Sequence, residues 1–462
     1  MYVTDRFAPE RYDCFVVGSG PAGVSLALAL AERRKRVLIF ESGDEDNART
    51  ELSNSIGYGH YSGEYWNGHW VRALGGTSNV WTGWCTTLRD LDLDNPAVGV
   101  KWPIARSELL PYWKKAAPIL DHEADFVDFE KAIYPGFSYR PVTTPPPTRI
   151  GDKYRARLKG DSGVDVALGR SIVAIDGNRS RSLVTTIDYY DHLLELRRQI
   201  TVSPKQTLVL AAGGLGNAQL LLQPRADGTV PVGNESGDAG KYLMEHPQFN
   251  SAGEVVMDSE LDRHWPAGNK HAGVHVISID RELSLEHGLY GCGLQCSRKT
   301  ADHDLARFLT REAGRPFFHY EITARSEMLP SPVNRVVPSA EQDRSGFHRL
   351  IARCVLDARD FMNVENSLRV FGEALIRMGK GRVRINNDRI YKDVWGEGHT
   401  LGTTRMGRDP SSSVVDPDCR VHGYQNLFVA GSSVFPSGGY TNPTITIVAL
   451  ALRLADKLVS TS

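Results

Sequence analysis

Residues 12–23 read YDCFVVGSGPAG, and this stretch decides the fold class. Its first half, 12–17, is an apolar run rich in β-forming residues, and a glycine-rich turn follows at once. An apolar helical pattern covers 24–36, and a second β-forming run, VLIF at 37–40, ends at Glu41. Strand, turn, helix and strand in this order predict a β-α-β unit of a parallel sheet.

The glycines of this turn have the spacing of a dinucleotide-binding loop. Gly18 permits the tight turn, Gly20 lets the backbone approach a pyrophosphate, and Gly23 lets the helix pack closely against the strand. The pyrophosphate is expected at the helix N-terminus. Glu41 ends the second strand, where a carboxylate can accept hydrogen bonds from the ribose hydroxyls. The unit therefore predicts a dinucleotide-binding site. Glu41 by itself does not distinguish NAD from FAD as the bound dinucleotide.

Two later segments return to the same kind of structure. TLVLAAGGLGNAQLLL at 207–222 reads as a buried strand, a small-residue turn and an apolar helix, and NLFVAGSSVFPSGG at 426–439 repeats the pattern. Distant parts of the chain therefore contribute to one sheet, an arrangement unusual for NAD domains. Between them, 251–330 alternates apolar and polar positions, as half-buried antiparallel strands do.

These patterns predict a mixed α/β (α+β) protein with two domains. A Rossmann-like dinucleotide-binding domain, discontinuous in sequence, is expected from 1–250 and 395–462, with a cap-like segment at about 84–150; the family resemblance described below makes it an FAD-binding domain. An antiparallel-sheet substrate-binding domain is expected from 251–394. The proline-rich stretch TTPPPTR at 143–149 is read as an extended connector between the cap-like residues and the returning nucleotide domain.

Bulk composition excludes several classes of function. The chain of 462 residues is 41% hydrophobic and 24% charged, close to the values for ordinary globular proteins. A net charge of -1 provides no field for nucleic acid. No stretch approaches the roughly 18 apolar residues of a membrane span. The start, MYVTDRFAPERYD, lacks a basic region followed by an apolar run, so a cytoplasmic location is expected, with no membrane or nucleic-acid partner.

The cysteine pattern predicts free thiols. Six cysteines are scattered along the chain, which argues against a disulfide framework. CGLQC at 292–296 is the one close pair, and it lacks a second cysteine or histidine pair at zinc spacing. No metal site is predicted.

The chain resembles the glucose-methanol-choline (GMC) flavin oxidoreductases, because several motifs occur in that family's order and spacing. Besides GSGPAG and Glu41, they are RALGGTSNVWTG at 72–83, WPIARSELLPYW at 102–113, AGKYLMEHP at 239–247, PSPVNRV at 330–336, GEGHTLGTTRMG at 396–407 and NLFVAGSSVFPSGGYTNPT at 426–444. Within the family, the likeness is greatest to bacterial pyranose-type and glycoside oxidases. The resemblance implies FAD rather than free NAD.

The resemblance also assigns the lone histidine of GEGHTLGTTRMG. In this family the corresponding histidine removes the hydroxyl proton as hydride leaves the carbinol carbon, and His399 occupies that place. Asn442 occupies the place of its partner, which binds the substrate oxygen. Hydride leaves more easily as alkoxide character develops, so the chemistry needs a base with a pKa near the working pH and a second group on the same oxygen.

The residues expected to contact the cofactor come from six short stretches of the chain. They are Gly18, Gly20, Pro21, Ala22, Gly23, Glu41, Ser42, Gly75, Gly76, Thr77, Asn79, Val80, Ala212, Gly213, Gly431, Ser432, Asn442, Pro443 and Thr444.

The mode of cofactor attachment and the start of the last helix follow from two of these stretches. Some family members attach FAD through a histidine just before the tryptophan of the GGTS stretch. Asn79 and Val80 stand there in this chain, so non-covalent FAD is expected. Pro443 suits the first turn of the apolar helix that follows, with Thr441 or Asn442 as its cap. The helix N-terminus is expected to stabilise negative charge on the reduced flavin.

Other residues receive lesser roles. Tyr65, Trp66 and Trp81 are candidates for stacking against substrate, although aromatic residues in a loop more often serve packing. His246 is expected to order a loop, and Arg405 to bind carbonyl groups near the flavin.

The predicted activity is FAD-dependent oxidation of a primary or secondary alcohol, on a sugar, glycoside or similar polyol, to the carbonyl. The small-molecule alcohol passes its electrons to O2 or another acceptor. One alternative is a dehydrogenase that uses a non-oxygen acceptor and tailors a secondary metabolite such as an aminoglycoside. Others are an FAD-containing hydroxynitrile-type lyase and a non-catalytic flavoprotein. The sequence leaves the oligomeric state open.

Overall fold

The computed structural model describes residues 1–3, 7–46, 48–49, 55–160, 163–225, 228–265, 273–299 and 303–460. The strands of the main sheets are β1 (Cys14–Val17), β2 (Val37–Glu41), β3 (Ser55–Gly59), β4 (Asp94–Asn95), β5 (Val100–Lys101), β6 (Lys131–Tyr134), β7 (Phe137–Tyr139), β8 (Val142–Thr143), β9 (Val164–Leu168), β10 (Arg170–Gly177), β11 (Val184–Asp191), β12 (Leu196–Thr201), β13 (Thr207–Leu210), β14 (Pro247–Met257), β15 (Gly273–Ile279), β16 (Cys292–Arg298), β17 (Phe318–Ser326), β18 (Arg335–Gln342), β19 (His348–Cys354), β20 (Gly381–Ile385), β21 (Val394–Gly396) and β22 (Leu427–Val429).

The helices are α1 (Pro21–Ala31), α2 (Gly63–Gly68), α3 (Asp90–Leu93), α4 (Arg106–Ile119), α5 (Ile150–Lys159), α6 (Gly213–Leu222), α7 (Arg281–Glu286), α8 (Asp304–Ala313), α9 (Ala358–Arg377), α10 (Asn387–Lys392) and α11 (Thr444–Ser460). None of these helices has the length and apolar character that crossing a membrane requires.

A parallel sheet in the order β22-β13-β1-β2-β9 forms the first layer. Its central strands are apolar and buried throughout, as expected for strands covered on both faces. The chain extends from β1 toward β2 on one side and toward β13 on the other, so the order reverses beside β1. In open α/β sheets, ligands bind at such a reversal, outside the carboxyl ends of the strands.

Helix α1 begins where the sequence predicts. Gly20 precedes it in extended backbone and Pro21 is its first residue, a position that suits proline because no partner for the missing N–H is needed there. Its leucines and alanines are buried against the sheet and against α11. The first helix of the dinucleotide unit is therefore held by the last helix of the chain.

A large antiparallel sheet forms the second layer. Its strand order is β20-β14-β17-β16-β15-β7-β6, with β21 added beside β14 and β8 beside β15. Helix α9 packs against it, and Asp357 caps that helix together with Asp360. Strands β6, β7 and β8 come from the segment that the sequence-based division placed in a cap of the FAD domain. They join this sheet because Tyr139 pairs with Ile277 and Thr143 with Gly273.

Smaller sheets complete the fold. Strands β10, β11 and β12 form an antiparallel meander that lies in sequence between β9 and β13 of the parallel sheet, while β3 pairs in parallel with β19, which also pairs with β18. All six cysteines lie in the described part of the chain, and each is buried and unpaired. Burial raises the pKa of the Cys292 thiol to about 11, which keeps it protonated and unreactive.

Candidate active site

A cavity of about 430 Å³ lies outside the carboxyl ends of four parallel strands. Its size is within the range of small-molecule and cofactor sites. It brings together most of the residues proposed from the sequence: Gly18, Gly20, Pro21, Ala22, Glu41, Ser42, Gly76, Thr77, Val80, Trp81, Ala212, Gly213, His399, Gly431, Ser432, Asn442, Pro443 and Thr444.

The glycine-rich turn suits a dinucleotide because backbone forms the floor of the cavity there. Gly18 has a φ of 103°, and a Cβ on it would lie 2.5 Å from the carbonyl oxygen of Ala211. Gly213 has a φ of 80° and faces open space. A ligand can therefore approach both turns to backbone distance, as a pyrophosphate requires.

Glu41 also fits a ribose. Its carboxylate is buried, and it accepts hydrogen bonds from the Ser19 backbone N–H and hydroxyl on Oε2 and from the Gly43 N–H on Oε1. A carboxylate can accept about four hydrogen bonds, so capacity for a ribose hydroxyl remains on Oε1. Burial raises its pKa, and the hydrogen bonds from Ser19 and Gly43 oppose that rise.

Three of the proposed cofactor residues do not line the cavity. Gly23 lies inside the β-α-β unit, where a Cβ would be 2.0 Å from the Gly18 carbonyl oxygen, so its role is the close packing of helix on strand. Gly75 has a φ of 91° at the start of the 72–83 turn. Asn79 donates from Nδ2 to the Leu74 carbonyl at 2.9 Å and supports that turn from behind.

His399 and Asn442 meet at the wall of the cavity. The Nε2 atom of His399 lies 3.5 Å from the Nδ2 atom of Asn442, although the two residues belong to different loops. Asn442 lies two residues before α11, which begins at Thr444. Pro443 therefore precedes the helix rather than occupying its first turn, and its carbonyl accepts the first helical hydrogen bond, from Ile447. The N-terminus of α11 borders the cavity.

His246 contacts His399 directly, which the expectation of a loop-ordering role did not anticipate. The Nδ1 atoms of the two imidazoles are 2.8 Å apart, and Nε2 of His246 lies 3.2 Å from the carbonyl oxygen of Gly438. Burial lowers the pKa of His246 to about 4, so this imidazole is neutral at neutral pH.

Glu245 holds the backbone of the histidine loop. Its carboxylate accepts the His399 N–H at 2.7 and 2.9 Å, and the Tyr65 hydroxyl donates to it at 2.6 Å. The same hydroxyl accepts the N–H of Gly398. Burial raises the pKa of Glu245 to about 7. Glu245 and His246, two successive residues of the 239–247 motif, therefore both position His399. Glu245 binds its backbone N–H, and His246 binds its ring.

A buried ion pair lies on the other side of the histidine. Arg325, on β17, has Nε 2.7 Å from Oε1 of Glu397, and both side chains are only 5% exposed. Arg325 also donates from Nη1 to Oδ1 of Asn442 at 3.3 Å. This bond turns the Nδ2 amino group of Asn442 toward His399. The second carboxylate oxygen of Glu397 lies 3.5 Å from Nδ1 of His399.

The surroundings of His399 keep its imidazole neutral. Burial lowers its pKa well below the usual value, and the nearby His246, Arg325 and His69 lower it further. The sequence argument expected a pKa near the working pH. The protein instead favours the unprotonated form because a charged imidazole would be desolvated beside a guanidinium group.

The aromatic residues divide between the cavity and the core. Trp81 lines the cavity, with its indole N–H bound to the Thr148 carbonyl, and Trp84 lines it with Arg325 stacked over its ring. Tyr65 and Trp66 do not line it, because they pack edge to face with each other below the loop. Their positions give no support to a substrate-stacking role, and the sequence-based proposal is corrected for both.

Arg405 lies away from His399. It donates to the carbonyl of Ser412, and its guanidinium stacks 3.4 Å from the ring centre of Tyr242. It binds a carbonyl group, but it does not line the cavity in which the cofactor is expected. Sequence reasoning missed Arg325 and Glu397 as members of the site. Glu397 stands two residues before His399 and could have been noticed, whereas nothing in the local sequence marks Arg325.

Comparisons with known proteins identify the relatives of this chain. A family model described as GMC oxidoreductase matches residues 330–451, and one described as an NAD(P)-binding Rossmann-like domain matches residues 16–50. The chain is 24% identical to 6'''-hydroxyparomomycin C oxidase of Streptomyces lividus, over 98% of this chain and 92% of that protein. It is 27% identical to the fructose dehydrogenase large subunit of Gluconobacter japonicus, over 61% of this chain and 51% of that protein.

A solved structure shares the architecture. The crystal structure of pyridoxine 4-oxidase from Mesorbium loti superimposes with a TM-score of 0.62 at 16% identity, and the match covers 96% of this chain and 99% of that one. The Rossmann-like match includes the end of β1 and all of α1, and the GMC match includes His399 and Asn442. The two matches lie in the order that the discontinuous fold requires. The chain belongs to the GMC oxidoreductase family.

Proposed function

We propose that this protein oxidises a primary or secondary alcohol of a sugar, glycoside or similar polyol to the carbonyl, with FAD as its non-covalently bound cofactor. The observation that carries the proposal is the meeting of His399 and Asn442, 3.5 Å apart, at the wall of the dinucleotide cavity. A base and an oxygen-binding amide at one point are what alcohol oxidation needs.

The names of the relatives support the substrate class. The fructose dehydrogenase is named for a sugar, and the Streptomyces enzyme for a hydroxylated aminoglycoside. The polar and aromatic groups beside His399 suit such substrates. Trp84 and Trp81 offer ring faces for a sugar, while Arg325 and Glu397 offer hydrogen bonds to hydroxyl groups.

In this proposal, the two layers of the fold have different roles. Residues from the parallel sheet and its returns hold the dinucleotide, and the antiparallel sheet contributes Arg325 and Gln248 to the substrate end of the cavity. We therefore keep 251–394 as the core of the substrate-binding domain, with the strands at 131–143 added to it.

FAD, when bound, supplies the acceptor for the hydride of the alcohol. His399 accepts the hydroxyl proton at Nε2, and Asn442 donates from Nδ2 to the same oxygen as its negative charge develops. Arg325 holds the amide of Asn442 in the orientation that presents this donor. The N-terminus of α11 stabilises negative charge at the cofactor end of the cavity.

The protonation state of His399 follows from the chain of hydrogen bonds behind it. Neutral His246 donates from Nε2 to the Gly438 carbonyl, so its Nδ1 carries a lone pair. His399 must then donate from its own Nδ1 across the 2.8 Å contact. Its Nε2 is therefore left unprotonated, facing Asn442 and the cavity. His246 sets the tautomer that a general base requires.

Anaerobic spectroscopy tests the proposal. The purified protein is mixed under nitrogen with sugars, glycosides, aminoglycosides and aromatic alcohols, and the flavin absorbance is followed. At least one sugar-like alcohol is expected to bleach the flavin, while His399→Ala with flavin bound stays yellow. His287→Ala, which changes an exposed histidine outside the cavity, serves as the matched control and should bleach like the parent.

The same experiment separates the competing functions. Bleaching by aromatic alcohols alone would overturn the sugar class, and an unchanged spectrum with conversion of a hydroxynitrile would establish a lyase. Once a substrate is found, reoxidation in air and reoxidation by a quinone are timed separately. The faster acceptor distinguishes an oxidase from a dehydrogenase.

A further inference from the structure

Three side chains with metal-binding groups meet on one face of the antiparallel sheet, outside the active-site cavity. Glu254 lies on β14, His319 on β17, and His303 immediately before α8. The strand register places Glu254 opposite Glu321 and Val256 opposite His319. Glu254 and His319 are therefore diagonal neighbours on the same face of the sheet.

The geometry of the three groups suits a single ion. One ligand atom from each residue lies within 4.8 Å of the others, and Nε2 of His319 is 3.6 Å from Oε2 of Glu254. The centroids of the two imidazole rings are 4.0 Å apart. Ligands at about 2.1 Å from a tetrahedral ion lie about 3.4 Å from one another, so small side-chain rotations bring all three into range.

Three ring nitrogens of the two histidines lack a hydrogen-bond partner. Both ring nitrogens of His319 and Nδ1 of His303 are shielded from solvent and make no hydrogen bond with any residue that the structure describes. Buried imidazole nitrogens ordinarily have a hydrogen-bond partner.

Nearby charges limit the affinity without blocking the site. Nη2 of Arg384 lies 3.6 Å from the other carboxylate oxygen of Glu254. Lys299 is engaged by Glu321 at 3.1 Å. Neither cation contacts a histidine nitrogen, and Oε2 of Glu254 remains directed toward His319.

We propose that Glu254, His303 and His319 bind one divalent transition-metal ion of the zinc class. Two imidazoles and a carboxylate are a ligand set that zinc accepts, with a water as the fourth ligand. The ion would fasten α8 to the sheet. Within the described structure no residue of α8 is buried, and Phe308 is 51% exposed, so the helix gains little from packing alone.

Metal titration of the full-length protein tests the proposal. After dialysis against a chelator, Zn²⁺ is titrated by calorimetry and Co²⁺ by visible absorption. The parent is expected to bind one equivalent and to give the intense bands of four-coordinate cobalt. His319→Ala, His303→Ala and Glu254→Gln should each weaken Zn²⁺ binding at least tenfold, while His287→Ala, at an exposed histidine of another loop, binds like the parent.

A second measurement reports on α8 itself. Trypsin cleavage after Arg307 and Arg311 should slow when Zn²⁺ is added to the parent but not to His319→Ala. Circular dichroism establishes that each variant is folded. The proposal is overturned if the parent binds no Zn²⁺ at micromolar concentrations, if cobalt shows only weak octahedral bands, or if folded His319→Ala binds as tightly as the parent.

Discussion

His246 and His399 share a hydrogen bond between their Nδ1 atoms at 2.8 Å, so one ring must donate and the other accept. The Gly438 carbonyl beside Nε2 of His246 makes that ring the acceptor at Nδ1. The basic nitrogen of His399 is thereby directed to the cavity by a residue that does not line it.

Two variants of His246 should therefore distinguish its effect on the tautomer of His399 from a purely structural effect. His246→Ala removes the acceptor and lets His399 adopt the wrong tautomer, so the rate of flavin bleaching should fall by roughly 10- to 100-fold. His246→Asn can present Oδ1 in place of the ring Nδ1 and should recover most of the rate. Stopped-flow absorbance under nitrogen measures both. Equal losses in the two variants would mean that His246 only fills space.

His399 and Asn442 should differ in the size of their effects. His399→Ala should retain fold and FAD but lower the bleaching rate by roughly a hundredfold or more, the scale of losing a general base. Asn442→Ala removes about one hydrogen bond to a developing charge, on the order of 1.5–3 kcal/mol, and keeps the base. The comparison is made at saturating substrate. A parent-like rate for His399→Ala would end its catalytic assignment.

The pH dependence of the rate should reflect the lowered pKa of His399. Because burial and the adjacent Arg325 guanidinium favour the neutral imidazole, the rate should stay level as the pH falls to about 6.5, the ordinary histidine pKa, and drop only below it. Arg325→Gln removes this positive charge, which raises the pKa of His399 and moves the acid limb to higher pH. Arg325→Lys keeps the charge and should leave the limb in place. The profile of bleaching rate against pH decides between these outcomes.

FAD should be released intact when the protein is denatured. Asn79 and Val80 occupy the stretch where the family resemblance places a flavin-attaching histidine, and neither side chain can form that bond. Acid precipitation followed by chromatography of the supernatant is expected to recover all of the flavin. Colour retained in the pellet would contradict non-covalent binding and direct attention to His69, which lines the cavity.

All six thiols should be titratable after denaturation without a reductant. The cysteines are all buried and none is joined to another by a disulfide, so each should remain a free thiol. A thiol reagent should react with about six groups in denaturant and with few in the native protein. Fewer than five reactive groups after denaturation would reveal a disulfide.

Local patterns were sufficient to predict the dinucleotide unit. The run from Tyr12 to Glu41 contains its own strand periodicity, turn glycines and helix start, and the structure places each where expected. The parallel sheet with returning strands, the separate antiparallel sheet and the family were also predicted correctly. In each case the signal lies within a few neighbouring residues.

Contacts across long sequence separations were not predictable in the same way. Nothing near residues 131–143 says that they pair with β15, because antiparallel pairing depends on which strand lies alongside. Likewise, the aromatic residues of 61–70 gave no sign of which ring turns inward. His246 and Arg325 reach His399 only through folding, so a single sequence offers no spacing rule for either.

The packing of helix α1 against helix α11 also has a consequence for biosynthesis. Helix α1 leaves the ribosome long before the helix that covers it, α11, and the edge strand β22. The cofactor floor therefore stays open throughout elongation, and closing it joins residues separated by most of the chain. Such non-local closure slows folding and leaves apolar strands uncovered in the nascent protein. Capture of FAD is thus a late event in the life of the polypeptide, and chaperone dependence should be greatest just before it.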